Sequence, residues 1–514
     1  MTFAIGSVEH APSGSCASVA SLVWLRSMTA CDHVYLESAG DAGSVTYGEL
    51  RRSAARWTAL LDDLDVEPGA TVGVAVSDPL EFAVVFLGVL ASGRSVAPMD
   101  ATATDTELVG ACMRTVPRLV VADRPSPDDA AVEWVTVPPG ACFLSGTPSG
   151  ALTMPHAGAG GVVLSTSGTT GVPKVMRLGE RQLLHTAGSV AGHLQLTSGD
   201  RGFNPLPLFH INAEVVGLLA TLGAGATLVL ADRFHRRGFW EAMGRHRITW
   251  INAVPAILAR LAVLEESERV PERIRFARSA SAPLPVPVLE RFEEATGIPV
   301  VETYGMTEAA SQITANPLHG PRKPGSAGPV VGTELRVLTG DRAPAPTGEV
   351  GHVVIRGPSV IRAYASPGYE DRVDAEGWLE TGDLGYLDED GYLFLVGRAD
   401  DVINRGGEKI YPKELEAAVL SEPGVASVAV VGWDHEVLGR VPVAYLVAEG
   451  VCGPADEALA ASVVAAVHER CAQLLSRPKR PVAYHVVERL PQNATGKVRR
   501  RELAGVPVVY SLLV

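Results

Sequence analysis

From Val45 to about Gly325 the chain keeps changing its hydrophobic period, and that alternation limits the possible folds more than any other feature. YGELRRSAARWTALLDDL spaces apolar residues along one helical face, and TVGVAV is a short β-branched run. FAVVFLGVLASG is helix-like again and RLVVAD strand-like. The pattern recurs at ATLVLA, RFHRRGFWEAMGRH, ITWINA and VLERFEEATG. Strand, helix and strand joined by short Gly or Pro punctuation predict a largely parallel α/β sheet. After Gly325 short strands and turns take over (ELRVLTG, GEVGHVVIRG, GYLFLVG), which predicts a β-rich lobe. After Arg398 come a charged turn (ADDVINRGGEKI), a helix (PKELEAAVLS), two strands (VASVAVVG, RVPVAYLV), a second helix (ALAASVVAAVHERCAQLL) and a turn-rich end. The expected fold is therefore α/β: a large N-terminal domain of α/β subdomains plus a β-rich lobe, residues 1–399, and a small α+β C-terminal domain, residues 400–514.

A chain of 514 residues is too long for one ordinary core, in keeping with several domains. The formal net charge of −14 argues against nucleic acid or an anionic membrane as partner, because both need clustered positive charge. A local basic pocket for phosphates remains allowed. The opening MTFAIGSVEHAPSGS lacks the basic and apolar regions of a signal peptide, and no apolar run is long enough for a membrane span. The cysteines Cys16, Cys31, Cys112, Cys142, Cys452 and Cys471 lie far apart without metal-ligand spacing. They read as reduced thiols, and the expected location is cytoplasmic.

Behind the apolar run GVVL stands STSGTTGVPK. Backbone N–H groups exposed by Gly168 and Gly171, the hydroxyls of Thr166, Ser167, Thr169 and Thr170, and the ammonium of Lys174 suit a polyphosphate. The spacing G-x-x-G-x-x-K is not that of the common G-x-x-x-x-G-K-[ST] nucleotide loop. On residue types alone a Ser/Thr/Gly connector with an incidental lysine fits equally well. The order of the letters, however, resembles the signature of the adenylate-forming superfamily, which includes acyl-CoA synthetases, peptide-synthetase adenylation domains and luciferases. Further motifs similar to that family's follow in its order, from about Val45 to Leu503: SASAP, ETYGMTE, TGD, GRADD and NATGKVRR.

The resemblance implies roles residue by residue. Ser281, Ala282 and Pro283 would line the adenine with their backbone, and Glu302, Thr303, Tyr304 and Gly305 belong to the adenine segment, with Tyr304 stacking on the base. Thr307 would contact the α-phosphate and Glu308 would hold magnesium. Asp383 and Arg398 would take the ribose, Asp400 would be the hinge of a mobile C-terminal domain, and Lys497 matches the family's mobile lysine between the acid's carboxylate and the α-phosphate. Taken singly, Tyr304 reads as core, Asp383 as a turn former and Lys497 as solvated surface; their joint occurrence argues otherwise. Arg499, Arg500 and Arg501 read as a solvated basic face.

The chemistry explains the need. A carboxylate is a poor acyl electrophile until displacement of pyrophosphate from ATP makes it an acyl-adenylate. Two anions must meet, so catalysis is positioning and charge neutralisation without a general base. The implied cofactors are ATP, or a preformed acyl-adenylate, with magnesium and coenzyme A. For the thiol step the family rotates its small domain to present another face, here Arg405, Gly406, Gly407 and Glu408; paired glycines would let a pantetheine arm pass close to the backbone, or would simply make a turn. Trp433 would flank that tunnel or serve as a core or lid residue.

Phe209, His210, Ile211 and Asn212, with Met306, occupy the positions of the family's acid pocket. Amino-acid-activating members place an aspartate there, and an ammonium buried without one is costly. The expected substrate is a carboxylic acid other than an α-amino acid, with His210 either gating the pocket or serving as a structural histidine. The expected acceptor is CoA, with a phosphopantetheinyl carrier as the alternative. The family continues its phosphate loop with Gly and later Thr-His, whereas this chain has Val175, Arg177, Gly179 and Glu180. Either these are drift in a strand that never meets the nucleotide, or they impair ATP handling and leave an enzyme dependent on a separate adenylate-supplying enzyme. In the second case Val175 remodels the loop and Glu180 brings negative charge near the triphosphate. A non-catalytic nucleotide-binding scaffold is a third reading, disfavoured by the retained lysine and hinge.

Overall fold

The computed structural model describes residues 18–40, 42–138, 140, 159–166, 174–492 and 498–514. Two α/β sheets form the body. The six-stranded sheet runs in the order Glu133–Thr136, Leu119–Ala122, Thr71–Ala75, Ser95–Pro98, Gly161–Thr166, Lys174–Gly179. All its pairs are parallel except the last, whose antiparallel register joins Thr166 to Lys174. The eight-stranded sheet has a parallel interior built on Val300–Tyr304, Phe276–Ser279, Trp250–Ala253, Arg201–Asn204, Thr227–Leu230 and Val34–Ser38, with an antiparallel strand at each edge.

The helix Pro79–Ala91 explains how the two sheets meet. Asp78 caps it, accepting from the Glu81 N–H at 2.9 Å, and Pro79 supplies a first turn that needs no donor. Its residues are apolar all round and twelve of them are buried, the mark of a helix with no solvent face. It packs on the strands Thr71–Ala75 and Ser95–Pro98 of one sheet and on Val34–Ser38 of the other. One continuous apolar core then extends into the antiparallel meander Glu334–Leu338, Gly351–Arg356, Leu379–Leu387, Leu393–Arg398 through Val353, Ile355, Leu379 and Leu393.

The residues after the turn Ala399–Asp401 build a further sheet with a core of their own around Ile403, Leu415, Val430, Leu446, Val464 and Tyr484. Two expectations need correction here. The turn-rich end contains the strand Val508–Leu513, antiparallel to Ala483–Val487, because VVYSLL can pair along an open sheet edge. Arg500 is not part of a solvated basic face: it donates to Glu416 at 2.5 Å and lies 3.7 Å from Asp401, tying the tail to the first helix of this unit and to the turn before it. No helix among the described residues is long and apolar enough to cross a membrane.

Candidate active site

The strand Val300–Tyr304 ends where the meander folds over it. There the Tyr304 hydroxyl donates to Asp383 Oδ2 at 2.6 Å, and Arg398 Nη1 donates to Asp383 Oδ1 at 3.1 Å and to the Thr381 carbonyl at 3.2 Å. One carboxylate thus joins three motifs that are far apart in sequence. Burial and the adjoining Asp383 push the Tyr304 phenol well up, so it remains a donor. Burial pulls the Arg398 guanidinium down, but Asp383, Tyr304 and Glu308 together outweigh that and leave it raised. Gly305 is obligatory: a Cβ there would lie 1.4 Å from the Ser311 carbonyl oxygen, where the chain folds back on itself.

The second cluster gathers around Glu308, in the turn Thr307–Ala309. Lys174 Nζ lies 3.9 Å from Glu308 Oε1, which also accepts from the Tyr364 hydroxyl at 3.0 Å. Lys174 sits over the rings of Tyr364 and Tyr369, 5.3 and 5.0 Å from their centroids. Burial lowers its pKa, Glu308 opposes that shift, and Arg372, Arg398 and Asp400 contribute at longer range. Glu308 Oε2 has no protein donor among the described residues, which suits a carboxylate able to bind magnesium. Tyr364 and Tyr369 were not legible as site residues, since IRAYASPGYE carries no motif and only the aromatic pair in a turn-rich stretch hinted at a surface.

Glu302 and its neighbours close the base side. Its Oε1 accepts from the Leu284 N–H at 3.3 Å, tying the adenine segment to the residue after Pro283. Burial raises its pKa to about 7, opposed by Lys413, whose ammonium donates to the Leu395 carbonyl at 2.8 Å. Lys413 comes from the C-terminal sheet region, so that unit contacts the meander and faces the adenine segment.

In the expected acid pocket, the Phe209 and His210 rings are 4.5 Å apart, and Ile211 and Asn212 are buried. Asn212 accepts from Arg278 Nη1 at 2.9 Å, and its amide nitrogen lies 3.5 Å from Ser281 Oγ; Ser281 itself has φ 71°. Burial lowers His210 to about pH 4, against a smaller opposing effect of Asp100, so the imidazole is neutral at ordinary pH. Its Nε2 is buried without a partner among the described residues, unlike a histidine held structurally through that nitrogen. Ala213–Leu219 continues as a fully buried π-helical segment, so this run is core. Glu214 within it has both oxygens unpartnered and is driven by burial toward the neutral acid.

Several expected residues are not brought together. Ser167, Gly168, Thr169, Thr170, Gly171 and Lys497 lie outside the described residues, as does the side chain of Thr166. Gly406, Gly407 and Glu408 are exposed, and Arg405 donates to the Pro478 and Arg480 carbonyls of its own unit. Trp433 is 41% exposed and stacks on His485, so it is not a core residue. Among the described residues no hydrogen bond or ion pair links this face to Tyr304, Asp383 or Glu308.

The departures after the phosphate loop also find their places in the fold. Val175 is an ordinary strand residue paired with Ser165, its N–H bound to Ser366 Oγ at 3.0 Å and its carbonyl to the Ala365 N–H at 2.7 Å. Glu180 is buried and accepts from the Val19 N–H at 3.2 Å, so its charge is engaged by the first helix. Arg177 reaches Ser95 and Thr71 on the opposite side, and Gly179 starts the helix Glu180–His193 with its N–H on Gln182. Val175→Gly is accordingly expected to change pyrophosphate release by no more than about twofold, while lowering the unfolding midpoint slightly through the backbone entropy of glycine in a strand. A several-fold rise in release would show the loop to be impaired after all.

Against this geometry stand the comparisons with known proteins. A family model described as AMP-binding enzyme matches residues 26–365, and its C-terminal domain model matches residues 414–497. The chain is 35% identical to a sulfoacetate–CoA ligase of Cupriavidus necator, covering 95% of this chain and 97% of that protein. It is 33% identical to an oxalate–CoA ligase of Arabidopsis thaliana, covering 88% and 91%. Among solved structures it resembles o-succinylbenzoate CoA synthetase from Bacillus subtilis in complex with its acyl-adenylate intermediate, with a TM-score of 0.82, 29% identity and coverage of 95% and 98%. ATP-bound MatB from Rhodopseudomonas palustris gives a TM-score of 0.83 at 28% identity, covering 94% and 98%.

Proposed function

Because this chain belongs to the AMP-binding enzyme family and is an ATP-dependent, AMP-forming acid–CoA ligase for acids other than amino acids, we propose that it works through an acyl-adenylate held between Tyr304, Glu308 and Asp383. The observation that carries this reading is the sharing of Asp383 by Tyr304 and Arg398 beside the Lys174–Glu308 pair. Asp383 is placed to accept the ribose hydroxyls, with Arg398 holding the carboxylate in position. Lys174 would meet the departing phosphates, with the donor-rich loop before it assigned the same role from its motif, and Thr307 would meet the α-phosphate. Glu308 would hold magnesium, which when bound neutralises phosphate charge. Lys497 is assigned the remaining positive charge, between the two reacting anions, from its motif alone. The acid lies against Phe209, His210, Ile211, Asn212 and Met306; the absence of a carboxylate from 209–212 supports exclusion of α-amino acids, and the two acids named for the relatives each carry a second acidic group.

Domain division at 399/400 belongs to the same proposal. The exposed turn of Arg405, Gly406, Gly407 and Glu408 lies on the C-terminal unit, and rotation about Asp400 is the movement that would bring it to the adenylate for attack by the CoA thiol. The ordinary strand pairing of Val175 and the engagement of Glu180 by the Val19 N–H support a complete ligase over one confined to thioester formation. The test is a paired assay over a panel of carboxylic acids: pyrophosphate release with ATP, and thioester formation from synthetic acyl-adenylate with CoA. Both should proceed, and Lys497→Ala should lower the first by on the order of 100-fold or more while leaving the second within a few-fold. Thioester formation without pyrophosphate release, equal loss of both reactions, or a carrier protein accepted in place of CoA would refute the reading.

A further inference from the structure

Arg278 is a buried cation without an anion among the described residues. It lies in the strand Phe276–Ser279, three residues before Ser281 of the segment expected to line the adenine, and only 1% of it is exposed. Its guanidinium is tied to three neutral amides: Nη1 donates to Asn212 Oδ1 at 2.9 Å and to Asn252 Oδ1 at 3.3 Å, and Nη2 donates to Gln312 Oε1 at 3.2 Å. It makes no ion pair among the described residues. Its Nε and the amide nitrogen of Gln312, itself 2% exposed, are buried donors with no acceptor among the described residues. Burying a guanidinium against neutral groups is costly, and a glutamine or methionine would fill the same space at less cost. A charge kept there at such cost is suited to a ligand that supplies the missing anion.

The location says which ligand. Asn212 belongs to the acid segment and reaches toward Ser281, and the Gln312 backbone packs on Gly305, directly before Met306. The network therefore joins the segment 209–212 to the residues beside Met306, both expected to line the acid pocket. The carboxylate to be activated must turn toward the nucleotide, so an anion meeting Arg278 is a different group of the same molecule. A guanidinium fork with its Nε edge unengaged matches the planar oxygen pair of a carboxylate, or two oxygens of a sulfonate.

We propose that Arg278 and Gln312 receive a second anionic group of the acid, making the substrate a short dicarboxylic or sulfonated carboxylic acid. This rests on the ligase reading above and specifies its acid. The test compares kcat/KM for malonate, succinate and sulfoacetate with that for propionate and butyrate, in wild type, Arg278→Gln and Arg278→Lys. Wild type should favour its best dianion over its best monoanion by at least about 100-fold, because a buried donor set left without its acceptor discriminates strongly. Arg278→Gln, which keeps amide contacts and removes the charge, should abolish most of that preference by lowering the dianion's kcat/KM while leaving the monoanions within about threefold. Arg278→Lys should retain part of it. A wild type that prefers monoanions, or an Arg278→Gln variant that loses both classes alike with a lowered unfolding midpoint, would make Arg278 a structural tie and overturn the proposal. No turnover of any acid by wild type would instead overturn the ligase reading beneath it.

Discussion

Asp383→Ala is expected to lower kcat/KM for ATP by on the order of 1,000-fold, from the combined loss of a ribose acceptor and of the order it imposes on Tyr304 and Arg398. Both oxygens of this carboxylate are in use, one by the Tyr304 hydroxyl at 2.6 Å and one by Arg398 at 3.1 Å. Alanine leaves a largely buried phenol without its acceptor, costing about 1–3 kcal/mol. It also leaves the Arg398 guanidinium with only the Thr381 carbonyl. Asp383→Asn separates the two effects: it can still accept from Tyr304 but carries no charge for Arg398, so its stability should lie between wild type and alanine. Thermal unfolding and AMP binding measured on the same preparations give the answer. If Asp383→Ala unfolds earlier yet keeps nucleotide affinity and kcat/KM within threefold, Asp383 is a structural clasp and the ribose assignment falls.

The second large effect is expected from a single methyl group. Gly305→Ala would set a Cβ 1.4 Å from the Ser311 oxygen and 2.5 Å from its carbonyl carbon, both backbone atoms that cannot swing aside. The chain returns there through the Ser311 N–H to the Met306 carbonyl at 3.1 Å and the Ile313 N–H to the Tyr304 carbonyl at 2.9 Å. Relieving the contact must open this return and carry Tyr304, Met306 and Glu308 with it. A cost above about 4 kcal/mol is expected, enough to leave little folded protein or protein with undetectable pyrophosphate release. Gly188→Ala, in a helix where nothing lies within 4 Å of the added carbon, should instead be neutral or slightly stabilising. Circular dichroism, unfolding midpoint and activity of the two variants side by side decide it; a Gly305→Ala protein with wild-type stability and rate would show that this return is not rigid.

The pairing of Lys174 with Glu308 shows how far local sequence reaches. Both residues stand in motifs whose order is legible by eye, and they meet within 3.9 Å. Tyr364 completes the same cluster and was invisible, because a tyrosine in an unpatterned turn acquires its role only when the segment is laid over Glu308. Arg278 was passed over for a similar reason. Its strand, RFARS, reads as an ordinary edge of a motif, and nothing in those letters says that its neighbours will be two asparagines and a glutamine instead of a carboxylate. The stretch after Lys174 shows the limit most clearly. A pleated strand sends alternate residues to opposite faces, so Lys174, Met176 and Leu178 are buried while Arg177 points outward.

The sequence by itself determined the order of most helices and strands, the family and the class of reaction, because periodicity and motif order are carried by neighbours along the chain. Only the tertiary structure decided that Glu180 is engaged by the first helix, that Arg500 bridges elements, that Gly406 and Gly407 face solvent, and that a buried guanidinium is held by three neutral amides. Those outcomes depend on which faces meet across sheets and on what charge lies opposite, and contacts between residues distant in the chain leave no period for a sequence to display.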